Sequence, residues 1–189
     1  MKKYEFTGET KQYGDITLRR IRATISFGVA EVGELGGWIE KEENLSQEGN
    51  AWVYGNAQVC GNAKVWGNAR VWGNARVYGN AVVYGNAWVY GNAEVCGNTW
   101  VCSNAKVYGN AEVLQASHLL VIGPVGSRND FTTFFRDKDN EIAVKCGCFY
   151  GKIDRFLEKV QETHGDNRYA LVYRAAAEAA KLQIDLAGN

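Results

Sequence analysis

From Ala51 to Val113 the apolar and polar positions recur every six residues: AWVYGN, AQVCGN, AKVWGN, ARVWGN, ARVYGN, and onward to AKVYGN and AEV. Ala and Val alternate with two variable positions, so Ala and Val share one face of a short strand and the variable pair shares the other. Gly-Asn forms the turn, since these residue types tolerate positive φ at least cost. Short strands joined by tight turns, with no crossover helix, predict a solenoid whose coils pair strand over strand. The lapses, Thr99 for Ala and Ser103 for Gly, are both small residues.

Outside the repeat the pattern changes. Lys3–Phe6 and Ile16–Ile25 read as strands, the second alternating through Leu18, Ile21, Ala23 and Ile25 with one slip. Ile39 and Leu45 lie six apart, which predicts an irregular coil ahead of the regular ones. After Val113, Val121-Ile122, Phe131–Arg136 and Ile142–Phe149 read as strands, with a turn at Asp137–Asn140. Ile153, Phe156, Leu157 and Val160 then form a helical stripe over 153–163. A last, Ala-rich helix is expected over 168–186, with Leu171, Val172, Ala175, Ala179 and Leu182 on one side. The expected division is a β cap at 1–36, a solenoid at 37–116 and a small α+β module at 117–189.

The aliphatic residue followed four positions later by a small one (Val53 and Ala57, Val59 and Ala63, through Val107 and Ala111) resembles the hexapeptide repeat of left-handed parallel β-helices. That resemblance implies three hexads per triangular coil, hence a mainly β chain built on a left-handed parallel β-helix. Residues eighteen apart then stack in columns. One face reads Trp52, Arg70, Trp88, Lys106 beside Tyr54, Trp72, Tyr90, Tyr108, and a second reads Lys64, Val82, Trp100 beside Trp66, Tyr84, Cys102. Such rings interleaved with cations suit either a subunit interface or a ligand-stacking surface.

Charge narrows the partners. Twenty-one basic and twenty-one acidic residues balance, so no overall field recruits long nucleic acid or a membrane surface. No apolar run is long enough to span a bilayer, and no basic-then-apolar leader follows Met1-Lys2-Lys3. Five Cys, with Cys60 and Cys96 at outward repeat positions, suggest reduced thiols and a cytoplasmic setting.

For chemistry, Gly123–Thr133 reads as an anion loop or as a polar turn entering a strand. Its Gly residues let backbone N–H groups approach an anion, Ser127, Thr132 and Thr133 add hydroxyls, and Arg128 adds a two-pronged donor. With Asn129, Phe131, Arg136 and Lys145 nearby, and Trp72, Trp88, Tyr90 and Tyr108 on the solenoid, these are the expected ligand contacts. Cys146-Gly147-Cys148 places two thiols on one strand face. They are read as small core residues, because the usual zinc-ligand spacing is absent. No catalytic residue, metal or cofactor is expected. The solenoid has no His to act as an acyltransfer base, and His118 has no acid spaced to orient it.

Gly36–Ser46, the Tyr-Gly-Asn-Ala hexads, Gly126–Phe135 and Cys146–Phe149 together resemble the Tyr-Gly-Asn-Ala repeat proteins of phages, prophages and gut bacteria. The resemblance spans nearly the whole chain and implies a phage-linked origin. By analogy with phage sponge proteins that sequester nucleotide signals of bacterial immunity, it implies a homo-oligomeric, non-catalytic binder of a small anionic, nucleotide-like ligand. The alternatives are a hexapeptide-type acyltransferase and an assembly protein that uses its aromatic ladders to oligomerise.

Overall fold

The computed structural model describes residues 1–187; the last two residues of the expected C-terminal module, 188 and 189, lie outside the described residues. The protein is mainly β, a three-sided parallel solenoid of four coils with an N-terminal β cap and two C-terminal helices. In the cap, β1 (Tyr4–Tyr13) and β2 (Ile16–Ala23) pair antiparallel, and β3 (Leu35–Ile39) joins β2 to the first coil. The expected slip in β2 is a register shift between Arg20 and Arg22. Leu18, Ile21 and Ala23 are buried, as the alternation predicts, but the strand ends at Ala23 and Ile25 lies half-buried in the bend beyond it. The irregular coil is present too: Ile39 pairs with Val59, and Leu45 bridges to Val65 after a 3₁₀ turn at Glu42–Asn44.

The coils consist of two-residue strands, from β4 (Trp52–Val53) to β14 (Glu112–Val113). Each pairs in parallel with the strand eighteen residues on, as Trp52 with Arg70 and Arg70 with Trp88. The inward Ala and Val columns form one continuous core, with every Val from Val53 to Val113 in the strands at most 1 % exposed, apart from outward Val82. Burying each such side chain contributes roughly 1.5–3 kcal/mol. Asn side chains at the corners bond from coil to coil, as Asn68 Nδ2 to Asn86 Oδ1 at 3.1 Å.

The module that follows has a four-stranded antiparallel sheet of β15 (Leu119–Val125), β16 (Asp130–Arg136), β17 (Ile142–Cys146) and β18 (Phe149–Lys152). One side of the sheet, through Phe135 and Ala143, extends the solenoid core. The other packs Phe134 and Val144 against α1 (Ile153–His164) and α2 (Arg168–Gln183).

Several expectations need correction. Ile142–Phe149 is not one strand, because Gly147 turns the chain at φ 56° and divides it into a hairpin. Cys146 therefore sits half-buried on a strand end while Cys148 is exposed in the turn, so the two are not paired core residues. The α2 helix ends at Gln183, not 186, and its buried side is Ala170, Tyr173, Ala176, Ala177 and Ala180. Leu171, Val172 and Leu182 face outward, because Tyr173 packs edge-on against Phe156 at 5.7 Å and the small Ala residues let the helix approach closely. Cys60 is buried rather than outward, beside Glu40 at the cap. Trp52 likewise leaves the outer aromatic column. It is 0 % exposed, wedged between Tyr4 and Phe27 of the cap.

Candidate functional site

Beyond Trp52 and Tyr54, the eighteen-residue register assembles the first face as the spacing predicts. Trp72 stacks on Tyr90 with centroids 4.5 Å apart, and Tyr90 stacks on Tyr108 at 4.3 Å. Tyr150, on β18, closes the far end edge-on to Tyr108 at 4.6 Å. Cations flank the rings. Arg70 and Lys106 lie over Trp88 at 5.6 and 5.0 Å, and Lys145 lies over Tyr108 at 5.9 Å. Burial lowers the pKa of the Lys145 ammonium, helped by the nearby Lys106 charge, and raises that of the Tyr90 phenol. Unneutralised cations crowded over rings favour an anion carrying a ring of its own. Tyr54 and Tyr150 belong to this surface as well. Tyr150 was not legible as such, because only the module's docking brings it over the last coil.

The C-terminal contacts expected from the sequence do not form one site with this face. Ser127 and Arg128 line a separate cavity of about 280 Å³ on the helix side of the sheet, with Cys146, Cys148, Phe149 and His164 among its walls. Ser127 and Arg128, the hairpin residues Cys146–Phe149, and His164 and Tyr173 of the helices are separated in sequence, and the packing of α1 and α2 on the sheet gathers them. Asn129 is an exposed turn residue at φ 50°, and Phe131 is half-buried against Gly123.

Thr132, Thr133 and Arg136 are buried and unavailable to a ligand, a correction to their expected role. Strand alternation on a central strand covered on both sides leaves them no open face. Thr132 Oγ1 donates to Cys146 Sγ at 3.2 Å, and Thr133 Oγ1 accepts from the Lys106 N–H at 3.0 Å, tying the module to the solenoid. Arg136 is 7 % exposed; its Nε donates to Asn140 Oδ1 at 2.9 Å, and its guanidinium pairs with Glu112 at 3.5 Å.

His118 is 3 % exposed, and both ring nitrogens are engaged. Nδ1 accepts from the Leu114 N–H at 3.3 Å, and Nε2 meets Gln115 Nε2 at 3.0 Å. Burial, then the adjacent Arg136, lowers its pKa. It is a structural imidazole with no path to a substrate. Asp137, Asp139 and Glu141 converge in a metal-like cluster, but the Lys152 ammonium occupies their centre, 2.5 Å from Glu141 and in contact with Asp137.

The second aromatic face also forms. Trp66 stacks on Tyr84 at 4.6 Å, and Trp100 stands 63 % exposed above them. It carries fewer cations than the first: Lys64 is the one in its two outward columns. Among the described residues no helix is long and apolar enough to cross a membrane.

Comparison with known proteins returns the solenoid repeat. A family model described as the YdcK beta solenoid repeat matches residues 69–85 and 75–91. A segment of 62 residues is 36 % identical to a protein named "Uncharacterized acetyltransferase YdcK" from Escherichia coli (strain K12), covering 29 % of this chain. The matched segment spans only 19 % of that relative's length, so the likeness is one of solenoid repeats.

Proposed function

We propose that the protein captures a small, ring-bearing anion of nucleotide type on its first solenoid face, without turning it over. The observation that carries this reading is the stack Trp72–Tyr90–Tyr108, with Lys145 over Tyr108 and with Arg70 and Lys106 over the adjoining Trp88. Stacking contributes roughly 1–3 kcal/mol per base and a charged hydrogen bond about 1.5–3 kcal/mol. Two of each sum to roughly 5–12 kcal/mol before association costs, a gross range that brackets the about 8.2 kcal/mol of micromolar binding. A phage sponge for immune signalling nucleotides is the biological role that the family resemblance suggests for such a site, with homo-oligomerisation covering the exposed Trp66 and Trp100. The test is isothermal titration with cyclic dinucleotides, ADP-ribose and nucleoside monophosphates. Binding that falls in Lys106→Gln and persists in Arg128→Gln supports the reading, and no binding of any nucleotide sinks it.

Acyl transfer is the second reading, favoured by the likeness to the E. coli protein named as an acetyltransferase. It needs an accessible base. With His118 sealed, His164 in the C-terminal cavity is the remaining imidazole of the chain's two. Acetyl transfer from acetyl-CoA that disappears in His164→Ala would establish this reading in place of capture.

A further inference from the structure

The four coils are not equally tight. At most corners the Asn N–H of one turn donates to the Gly carbonyl of the turn above, at 2.8 Å from Asn50, Asn62, Asn68, Asn74 and Asn92. The corresponding bond from Asn56 to Gly73 is missing. The side-chain ladder is stretched at the same place: Asn56 Nδ2 to Asn74 Oδ1 is 3.5 Å, whereas Asn74 to Asn92 is 3.1 Å. A Cβ placed on Gly73 would meet the Gly91 carbonyl at 2.9 Å, yet one placed on Gly55 would meet nothing within 4 Å. The ring stack breaks there too. Tyr54 stands edge-on to Trp52 (6.4 Å, 87°) instead of stacking under Trp72.

The cause lies in the cap. Gly36 forms an antiparallel bridge with Tyr54, which holds this turn to the cap side and away from Gly73. A cavity of about 450 Å³ opens between the coils, lined by Tyr54, Arg70, Trp72 and Gly73. The Tyr54 hydroxyl is buried without a partner.

We propose that this splayed corner is the slot that receives the heteroaromatic ring of a nucleoside phosphate, an assignment that rests on the capture reading above. The stack has one closed end, under Tyr150, and one open end, the uncovered face of Trp72. A planar ring seated on Trp72 continues the stack. The freed Asn56 N–H donates to an acceptor on the ring edge, and the freed Gly73 carbonyl accepts from an amino or imino N–H. Nucleobases carry such donors and acceptors side by side on one edge. Arg70, at the same opening, meets the phosphate with its guanidinium fork. None of the four lining residues is acidic.

The experiment is isothermal titration of the full chain with AMP and GMP, with adenosine and inorganic phosphate as separate arms. The slot predicts that Arg70→Gln and Trp72→Leu each weaken nucleotide binding by about tenfold or more, while Tyr84→Leu, on the second solenoid face, stays within about twofold. Nucleotide binding that both slot variants retain within about twofold overturns the slot and leaves capture by the face standing. Inorganic phosphate binding as tightly as AMP overturns the ring assignment, and adenosine binding as tightly as AMP overturns the role of Arg70. No heat from either nucleotide with the wild-type chain overturns the capture reading itself.

Discussion

Replacing Gly91 by Ala and, separately, Gly55 by Ala separates two costs that the coil geometry imposes. Both residues occupy the same place in the hexad and both hold positive φ, 77° at Gly91 and 55° at Gly55. Each substitution therefore pays for a left-handed backbone, about 1–2 kcal/mol for a residue with a Cβ. Only Gly91 adds a steric term. A Cβ there would lie 3.0 Å from the Gly109 nitrogen, 3.1 Å from its oxygen and 3.2 Å from its Cα, all backbone atoms that cannot swing aside. Overpacking of that kind typically costs about 1–3 kcal/mol more. Gly91→Ala is thus expected to lose roughly 2–5 kcal/mol, and Gly55→Ala, with open space around its Cβ, only the backbone part. Urea unfolding of the two variants beside the wild type, read at a common slope, measures the difference directly. Equal destabilisation by the two substitutions would refute both the tight stacking of the regular turns and the opening at Tyr54.

Three further outcomes follow from buried polar groups. Lys3 donates to the Ala51 carbonyl at 2.9 Å, and burial lowers its pKa to about 8 from 10.5. Between those values the unfolded chain binds more protons than the folded one. Stability should therefore rise with pH across the window, by at most about 1.4 kcal/mol per pH unit, and Lys3→Met should abolish the rise in urea melts recorded at pH 8 and pH 10. Thr99 buries an unpartnered hydroxyl where the other coils carry Ala, so Thr99→Ala should stabilise by about 1 kcal/mol in the same assay. Arg136→Met strips Glu112 and Asn140 of their cation and should cost about 3 kcal/mol, without the loss of nucleotide affinity expected of a ligand contact.

The coils were legible because near-identity at the Ala, Val, Gly and Asn positions leaves one register in which the Val at the third place of every hexad is buried. The columns Arg70–Trp88–Lys106 and Trp72–Tyr90–Tyr108 follow from that arithmetic. What the arithmetic cannot contain is contact with segments outside the repeat. The hexad AWVYGN at Ala51–Asn56 looks like its neighbours, yet the cap buries its Trp52 and draws its Tyr54 out of the stack. The module was harder, because Ala-rich helices carry little hydrophobic contrast. Ala170, Ala177 and Ala180 face the core while larger Leu171 and Leu182 do not, a choice made by where Tyr173 finds Phe156. The anion loop was legible as a polar turn at Gly126–Asn129. That its Arg128 faces a different cavity from Lys145 depends on which side of the sheet each strand position meets.

The central claim is that coils of eighteen residues align these rings into a stack that is closed at Tyr150 and open at Tyr54. Nuclear Overhauser contacts between aromatic ring protons test it most directly. Cross-peaks joining Trp72 to Tyr90 and Tyr90 to Tyr108, with none joining Tyr54 to Trp72, are the predicted result. An unbroken ladder through Tyr54, or no cross-peak joining Trp72 to Tyr90 and Tyr90 to Tyr108, would contradict it.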